Sequence, residues 1–319
     1  MKTLGQRVFL VVLTAYLSGI CCLPSAFSET ALKVAMITWR GETPAETGFV
    51  EGLKQYDHPL SFIMYHANQD MTRLNRVVTK LKTDGADLIY VFGTTATKKV
   101  LADITTTPVI FNIVTRPVES GIIASWNSSG NNATGVSSLV PIVHQLKALD
   151  KVIRFTRLGM IYNPMEQNSI IQRDLVKELE TELAFKLYEF PITGREDIPQ
   201  ALEGLDTKVD AVYLPSDSMV KMLAAQILTL VNRYGLPSLS AMEDMVVHDS
   251  ALLGLVPDYY QLGRLAAAKA DLVLKGTAPS SIPTSTLDHF KITVNMNTAR
   301  QIGINIPTSI LVMADRIIR

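Results

Sequence analysis

Short apolar or β-branched runs alternate with helix-spaced segments along this chain, and the alternation starts again halfway. The first set of runs covers residues 34–38, 61–65, 88–92 and 109–114; the second covers 158–162, 186–190, 209–214 and 251–256. Between them lie amphipathic segments. Leu74, Val77, Val78 and Leu81 fall at i, i+3, i+4 and i+7 and predict one buried helical stripe, with Asp70 or Thr72 as its cap and Gly85 as its stop. Ile171, Leu175, Leu179 and Leu183 predict a second stripe, and Val220, Leu223, Ile227 and Leu230 a third. Near-continuous apolar strands separated by helices imply parallel sheets covered on both faces. The expected fold is therefore α/β, with two doubly wound, Rossmann-like parallel-sheet lobes in tandem.

After residue 256 the order changes. A long helical stretch over 259–275 is followed by a Pro- and Ser-rich loop over 276–286, one more strand over 291–295, a short helix around 298–302 and an apolar tail. So small a remainder fits best as chain that returns to complete both halves. The expected division is 29–140 plus 258–286 for the first lobe and 141–257 plus 287–319 for the second, with several crossings making a multi-stranded hinge.

The first 28 residues have the layout of a secretory signal. Lys2 and Arg7 precede an apolar core over 8–20, too short to span a bilayer comfortably, and Pro24 and Ala26-Phe27-Ser28 lead to a cleavage point before Glu29. Cys21 and Cys22, the only cysteines, fall inside that segment, and the bulky Ile20 suits lipoprotein processing poorly. The mature chain then has no disulfide or thiolate and depends on its core, for which 47% hydrophobic residues supply the material. The whole chain carries 30 basic and 30 acidic residues with no basic stripe, which argues against nucleic acid as a partner. A periplasmic or extracellular location follows.

In parallel α/β sheets ligands bind beyond the carboxyl ends of the strands, so the loops there are the candidates. Gly93-Thr94-Thr95-Ala96-Thr97 opens a helix with small residues, and either receives an anion on its free N–H groups or merely caps the helix. Arg116, in Thr115-Arg116-Pro117, points either into the cleft to hold an anion or out into solvent. Gly135-Val136-Ser137-Ser138 supplies hydroxyl donors or turns the chain. In the second half, the segment from Tyr162 to Ser169 is dense in polar side chains, Asn163, Glu166 and Asn168 among them. In Pro215-Ser216-Asp217-Ser218, Asp217 either takes an ammonium group or caps the next helix, and Asp258 is likewise a cap candidate. Trp39, beside Arg40 after the first strand, offers a stacking face or packs on the neighbouring helix.

Signatures of catalysis are missing: the chain has no G-x-S-x-G, H-E-x-x-H, Walker A or G-x-G-x-x-G motif. His58, His66, His144, His248 and His289 lack metal-ligand spacing. No cofactor, no metal and no enzymatic activity are expected.

Five ordered segments carry a family resemblance: PVIFNIVTRPV over 108–118, NATGVS over 132–137, IYNPMEQNS over 161–169, VDAVYLPSDS over 209–218 and DYYQLG over 258–263. Together they make the mature chain similar to the bacterial ABC-transporter substrate-binding family that includes the tryptophan- and tyrosine-binding proteins, with the type I periplasmic-binding fold. The resemblance implies two lobes closing on a small polar ligand, an amino acid or related carboxylate, and a monomer that docks on an ABC permease in the membrane. It places ligand contacts on Thr94, Thr95, Thr115, Ser137, Asn163, Glu166, Asn168, Asp217, Ser218 and Asp258. Family members often carry Asp where this chain has Arg116, and a His-Pro pair where it reads Arg40-Gly41-Glu42-Thr43-Pro44. An acid-to-base change there counts against an aromatic amino acid and leaves room for a more anionic ligand. The alternative output is signalling to a membrane receptor, which needs the same closure; a secreted hydrolase would need a nucleophile and base that meet only in the folded chain.

If the signal is cleaved as expected, N-terminal sequencing of the exported protein reads Glu29 first. An intact Met1, or a lipid on Cys22, would exclude that cleavage.

Overall fold

The computed structural model describes residues 31–319; the expected export signal, 1–28, lies outside the described residues. Strands β1 (Leu32–Thr38), β2 (Leu60–His66), β3 (Leu88–Phe92), β4 (Val109–Val114) and β5 (Ala133–Ser137) form the first sheet. Their order is β2-β1-β3-β4-β5 and every neighbouring pair is parallel. Helices α1 (Pro44–Leu53), α2 (Met71–Asp84) and α3 (Thr94–Asp103) carry the crossovers. Every residue of β3, β4 and β5 is buried, as a sheet covered on both faces requires.

The chain then crosses into α4 (Ile142–Val152) and builds β6 (Arg157–Tyr162), β7 (Lys186–Pro191), β8 (Ala211–Leu214), β9 (Ser238–Ser240) and β10 (Leu253–Val256). The helices between them are α5 (Gln167–Glu178), α6 (Ile198–Ala201), α7 (Leu205–Lys208), α8 (Ser218–Met222), α9 (Ala224–Arg233) and α10 (Glu243–Val247). Next, α11 (Tyr259–Leu274) returns to the first sheet, where Leu262, Ala266, Ala267 and Ala270 join its core. The chain finally comes back to the second sheet with β11 (Lys291–Asn295), α12 (Met296–Ile302), α13 (Thr308–Met313) and β12 (Arg316–Ile318). That sheet runs β12-β11-β10-β9-β8-β6-β7, parallel except where β11 meets β10.

Three expectations change. Gly135-Val136-Ser137, read as a donor loop or turn, is part of β5. No strand was foreseen at β9, whose Ser-Leu-Ser sequence has no apolar run to announce it. Along α5 the fully buried positions are Ser169, Gln172 and Val176, while Ile171 and Leu175 are half-buried and the helix stops before Leu179. Polar residues take the inner face because they bond a loop: Ser169 Oγ donates to Asp217 and Gln172 Nε2 to the carbonyl of Ser216.

Helices α1 and α11 meet backbone to backbone. A Cβ at Gly48 would lie 2.2 Å from the Tyr260 carbonyl oxygen, and one at Gly263 2.1 Å from that of Ala45. No rotamer change relieves a clash with main chain. Gly263→Ala should therefore push the two helices apart and lower unfolding free energy by about 1–3 kcal/mol, read as a lower denaturant midpoint at unchanged slope; an unchanged midpoint would mean the helices slide freely.

Candidate functional site

Loops at the carboxyl ends of both sheets face each other across a cleft, and side chains bridge it. Lys98 Nζ, on α3, donates to Gln167 Oε1 on α5 at 2.5 Å. Gln69 Nε2 reaches Met222 Sδ at 3.8 Å, and Arg40 Nη1 reaches Met242 Sδ at 3.4 Å. All three contacts pair a donor with a neutral group, so the two walls meet without an ion pair at these points. Against the crossings the cleft narrows to a cavity of about 10 Å³ lined by Thr115, Arg116, Ser138, Gln145, Ser216 and Tyr259. A second cavity of about 140 Å³, which shares Pro257 and Tyr259 with the first, is lined by Arg40, Met242, Asp258 and Lys291.

In the first wall, Gly93 opens α3 at φ +87° with no side-chain cap, so the first-turn N–H groups at Thr94 and Thr95 have no acceptor within the helix. Thr94 is buried and Thr95 half-buried. Trp39, read as either a stacking face or a residue packed on the neighbouring helix, is buried, and its indole N–H has no hydrogen-bond partner. Arg40 stacks on two rings, its guanidinium carbon 5.0 Å from the centroid of Phe92 and 5.8 Å from that of Tyr259. Its Nη2 donates to the Tyr259 hydroxyl at 3.1 Å. The β4–β5 ladder slips register between Phe111 and Val114, where Ile113 takes φ +55°, a rare conformation for a β-branched residue. That irregularity precedes Thr115 and Arg116. The Thr115 hydroxyl lies 3.4 Å from Ser138 Oγ, and Arg116 pairs with Glu119 at 3.2 Å on its own lobe. Ser137, wholly buried, donates its hydroxyl to the Thr115 carbonyl and accepts from the Leu139 N–H.

The second wall is knit to itself. Asp217 is fully buried: one carboxylate oxygen accepts the Asn163 N–H at 2.8 Å and the Ser169 hydroxyl, the other the Val220 N–H at 2.8 Å as cap of α8. Asn163 Oδ1 accepts the Met165 N–H, and Asn168 Nδ2 donates to the Ser216 carbonyl. Ser218 donates its N–H to Glu166 Oε2 at 3.2 Å. Burial, and then the charge of Asp217, push the Glu166 carboxyl up to about 7; the Ser218 N–H and Arg40 across the cleft oppose that rise only in part. Burial also raises Asp217, but the Ser169 hydroxyl and the N–H groups of Val220 and Asn163 hold its charge. At the second crossing, Asp258 caps α11 through the Gln261 N–H and pairs with Lys291 at 2.6 Å.

The structure therefore gathers Trp39, Thr94, Thr95, Thr115, Arg116, Glu166 and Ser218 at the strand ends, while Ser137, Asn163, Asn168, Asp217 and Asp258 spend their polar atoms on neighbouring protein. Sequence reasoning passed over Tyr259 and Gln145. The tyrosine sat in a loop already singled out, next to Asp258. Gln145 left a trace as a polar residue inside an apolar helix; it bridges the Tyr213 hydroxyl and the Leu255 carbonyl. Among the described residues no group of acidic, His and Cys side chains is arranged to hold a metal ion.

Glu166 makes stability depend on pH. Its folded value of about 7 lies above the usual 4.5, so its contribution is complete below pH 4.5 and is lost as pH rises through 7. Glu166→Gln should remove that slope and exceed wild type at pH 8 by roughly 1–3 kcal/mol, measured by denaturant melts at pH 5 and pH 8. Parallel pH profiles for the two proteins would place the proton elsewhere.

Residues 34–318 match the family model described as "ABC transporter substrate binding protein". A tyrosine-binding protein of Clostridioides difficile is 28% identical over 261 residues, 80% of this chain and 75% of that protein. Among solved structures, a Streptococcus pneumonia ABC domain in complex with L-Trp superposes with a TM-score of 0.85 at 22% identity, covering 91% of this chain and 100% of that one. The ligand-free, open structure of a Clostridium difficile substrate-binding protein with adhesive properties gives 0.70 at 25% identity, covering 90% and 99%. With two parallel-sheet lobes facing across a cleft and a match over nearly all the described residues, the chain belongs to the ABC transporter substrate-binding protein family, whose members bind solutes and are not enzymes.

Proposed function

We propose that this chain is the exported receptor of an ABC importer, which closes its two lobes on a small polar ligand, an amino acid or related carboxylate, and hands it to a membrane permease. The observation that carries the reading is the set of neutral contacts across the cleft, Lys98 to Gln167, Gln69 to Met222 and Arg40 to Met242. Contacts of that kind are weak enough to break and remake as the lobes open and close. The tyrosine-binding relative and the L-Trp complex support a ligand of amino-acid size, and the better superposition on the ligand-bound structure than on the open one supports a closed arrangement here. The donors of the first wall, Trp39, Arg40, Thr94, Thr95 and Arg116, meet the ligand's anionic end. In the second wall Glu166 faces the ligand, and Asp217 holds the wall in shape from behind it.

In this reading the lobes are 29–140 plus 258–286 and 141–257 plus 287–319, the chain works as a monomer in the periplasm or outside the cell, and the three crossings between lobes act as the hinge. Small-angle scattering should show a radius of gyration that falls when the ligand, identified by native mass spectrometry of the purified protein, is added to saturation. An unchanged profile at saturation would remove closure from the mechanism.

A further inference from the structure

We propose that the cleft selects a small carboxylate without an aromatic ring, and that the Arg40 guanidinium is the group that selects it. The inference rests on reading the chain as a small-molecule receptor and adds the class of the molecule. Arg40 follows β1, and its guanidinium lies over the rings of Phe92 and Tyr259, which meet edge to face with centroids 6.4 Å apart. One face of each ring beside Arg40 is thus covered by the chain's own cation, and Phe92 is itself buried. A guanidinium carries five N–H donors in a planar fork suited to a carboxylate. Arg40 spends donors on the Tyr259 hydroxyl and the Met242 sulfur, both neutral. Among the described residues it enters no ion pair, so its charge is uncompensated by direct contact.

The surroundings repeat the preference. Trp39, the preceding residue, holds a buried indole N–H without an acceptor, a state buried polar groups rarely keep. On the acceptor side, Asp217 is filled by three donors, Asp258 is paired with Lys291 and Glu243 with Arg316, which leaves Glu166, bonded through one oxygen to the Ser218 N–H, as the buried carboxyl with an oxygen to spare. Asp244, also at this cavity, is exposed to water. A site with spare donors and few spare acceptors fits a ligand rich in acceptors. Size points the same way. The cavity beside Arg40 holds about 140 Å³, close to the roughly 150 Å³ that accommodates benzene. A four- or five-carbon acid fits that volume.

Titration calorimetry with succinate, L-malate, L-aspartate, L-glutamate, L-tyrosine and L-tryptophan tests the assignment on wild type, Arg40→Gln and Arg40→Lys, with folding checked by thermal melts. At least one aliphatic acid should bind, and at least tenfold more tightly than either aromatic amino acid. Arg40→Gln should weaken that acid tenfold or more, and Arg40→Lys, which keeps the charge without the fork, by less. Should Arg40→Gln fail to fold, the Lys variant still decides, because a role confined to packing leaves its affinity at the wild-type level. Tight binding of tyrosine or tryptophan that Arg40→Gln leaves intact, or binding of none of the four acids, overturns the assignment. In those cases a small molecule of another class found by native mass spectrometry keeps the receptor reading standing, and only a protein with no bound or titratable small molecule brings down both.

Discussion

Where α11 lies against α1 the two backbones come so close that no Cβ fits at Gly48 or Gly263, and the path of the whole second half of the chain depends on that contact. Helix α11 follows the last parallel strand of the second sheet yet packs into the core of the first. To reach it the chain must cross at Pro257 and Asp258, and to finish the second sheet it must cross again before Lys291. Asp258 and Lys291, one from each of these crossings, form an ion pair at 2.6 Å. Two crossings are thereby tied to each other, and the first is tied to the last as well: the Ser137 N–H donates to the Ser285 carbonyl, and the Thr286 hydroxyl lies within hydrogen-bond distance of the Ser137 and Leu139 carbonyls. The residues that follow the third sheet-ends of both lobes are held opposite one another by this connectivity rather than by contacts in the cleft itself.

The two walls differ in how their polar groups are satisfied. In the second wall a single carboxylate, Asp217, collects the Asn163 N–H, the Ser169 hydroxyl and the Val220 N–H, and so links the loop after β6, helix α5 and the cap of α8. Losing a partner from such a buried network costs on the order of 1–3 kcal/mol per group left unsatisfied, which makes this wall rigid. In the first wall the buried Trp39 N–H lacks an acceptor, and the same cost is carried there, while the first turn of α3 has no side-chain cap. A large core offsets it: the first sheet and α11 share one cluster of fully buried apolar side chains. Rigid scaffolding on one side and unspent donors on the other are what a receptor needs if its ligand is to supply the missing acceptors.

Most strands of both sheets were legible because strands buried on both faces read as apolar runs, and nine of them stand where a strand was expected. Three escaped: β5 and β9, which are polar, and β12, three residues of what read only as an apolar tail. Thr134 bonds the Ile282 carbonyl, Ser137 that of Thr115, and Ser238 accepts the Leu252 N–H, partners that only the folded chain brings near. The loops of the site were legible for a related reason, since position after a strand is a sequence property. Which side chains in those loops are unspent was not. Asp217 meets its partner Ser169 across 48 residues, and Arg40 meets Tyr259 across 219. Pairings at that range leave no local pattern, so a cap and a ligand contact look alike until the chain is folded. The α5 stripe shows the same limit, because its inner face follows the Ser216 and Asp217 loop and not its own leucines.

In the closing mechanism proposed above, the contacts across the cleft set a bound on how it works. A ligand shifts an opening equilibrium only by its differential affinity for the two states. Groups that bind equally well in the open form contribute nothing to closure. The first wall alone offers Trp39, Arg40 and the start of α3, and a molecule resting only there would leave the lobes free. Closure requires a second contact from the opposite side, and the residues placed to give one are few: Met242 beside Arg40, and Glu166, whose carboxyl feels Arg40 across the gap. Because Glu166 sits close to neutrality in its proton affinity, its charge, and with it the attraction between the walls, changes within the range of pH that an exported protein meets. The same carboxyl that destabilises the second lobe when ionised then draws the two walls together, so folding and closure respond to that proton with opposite sign.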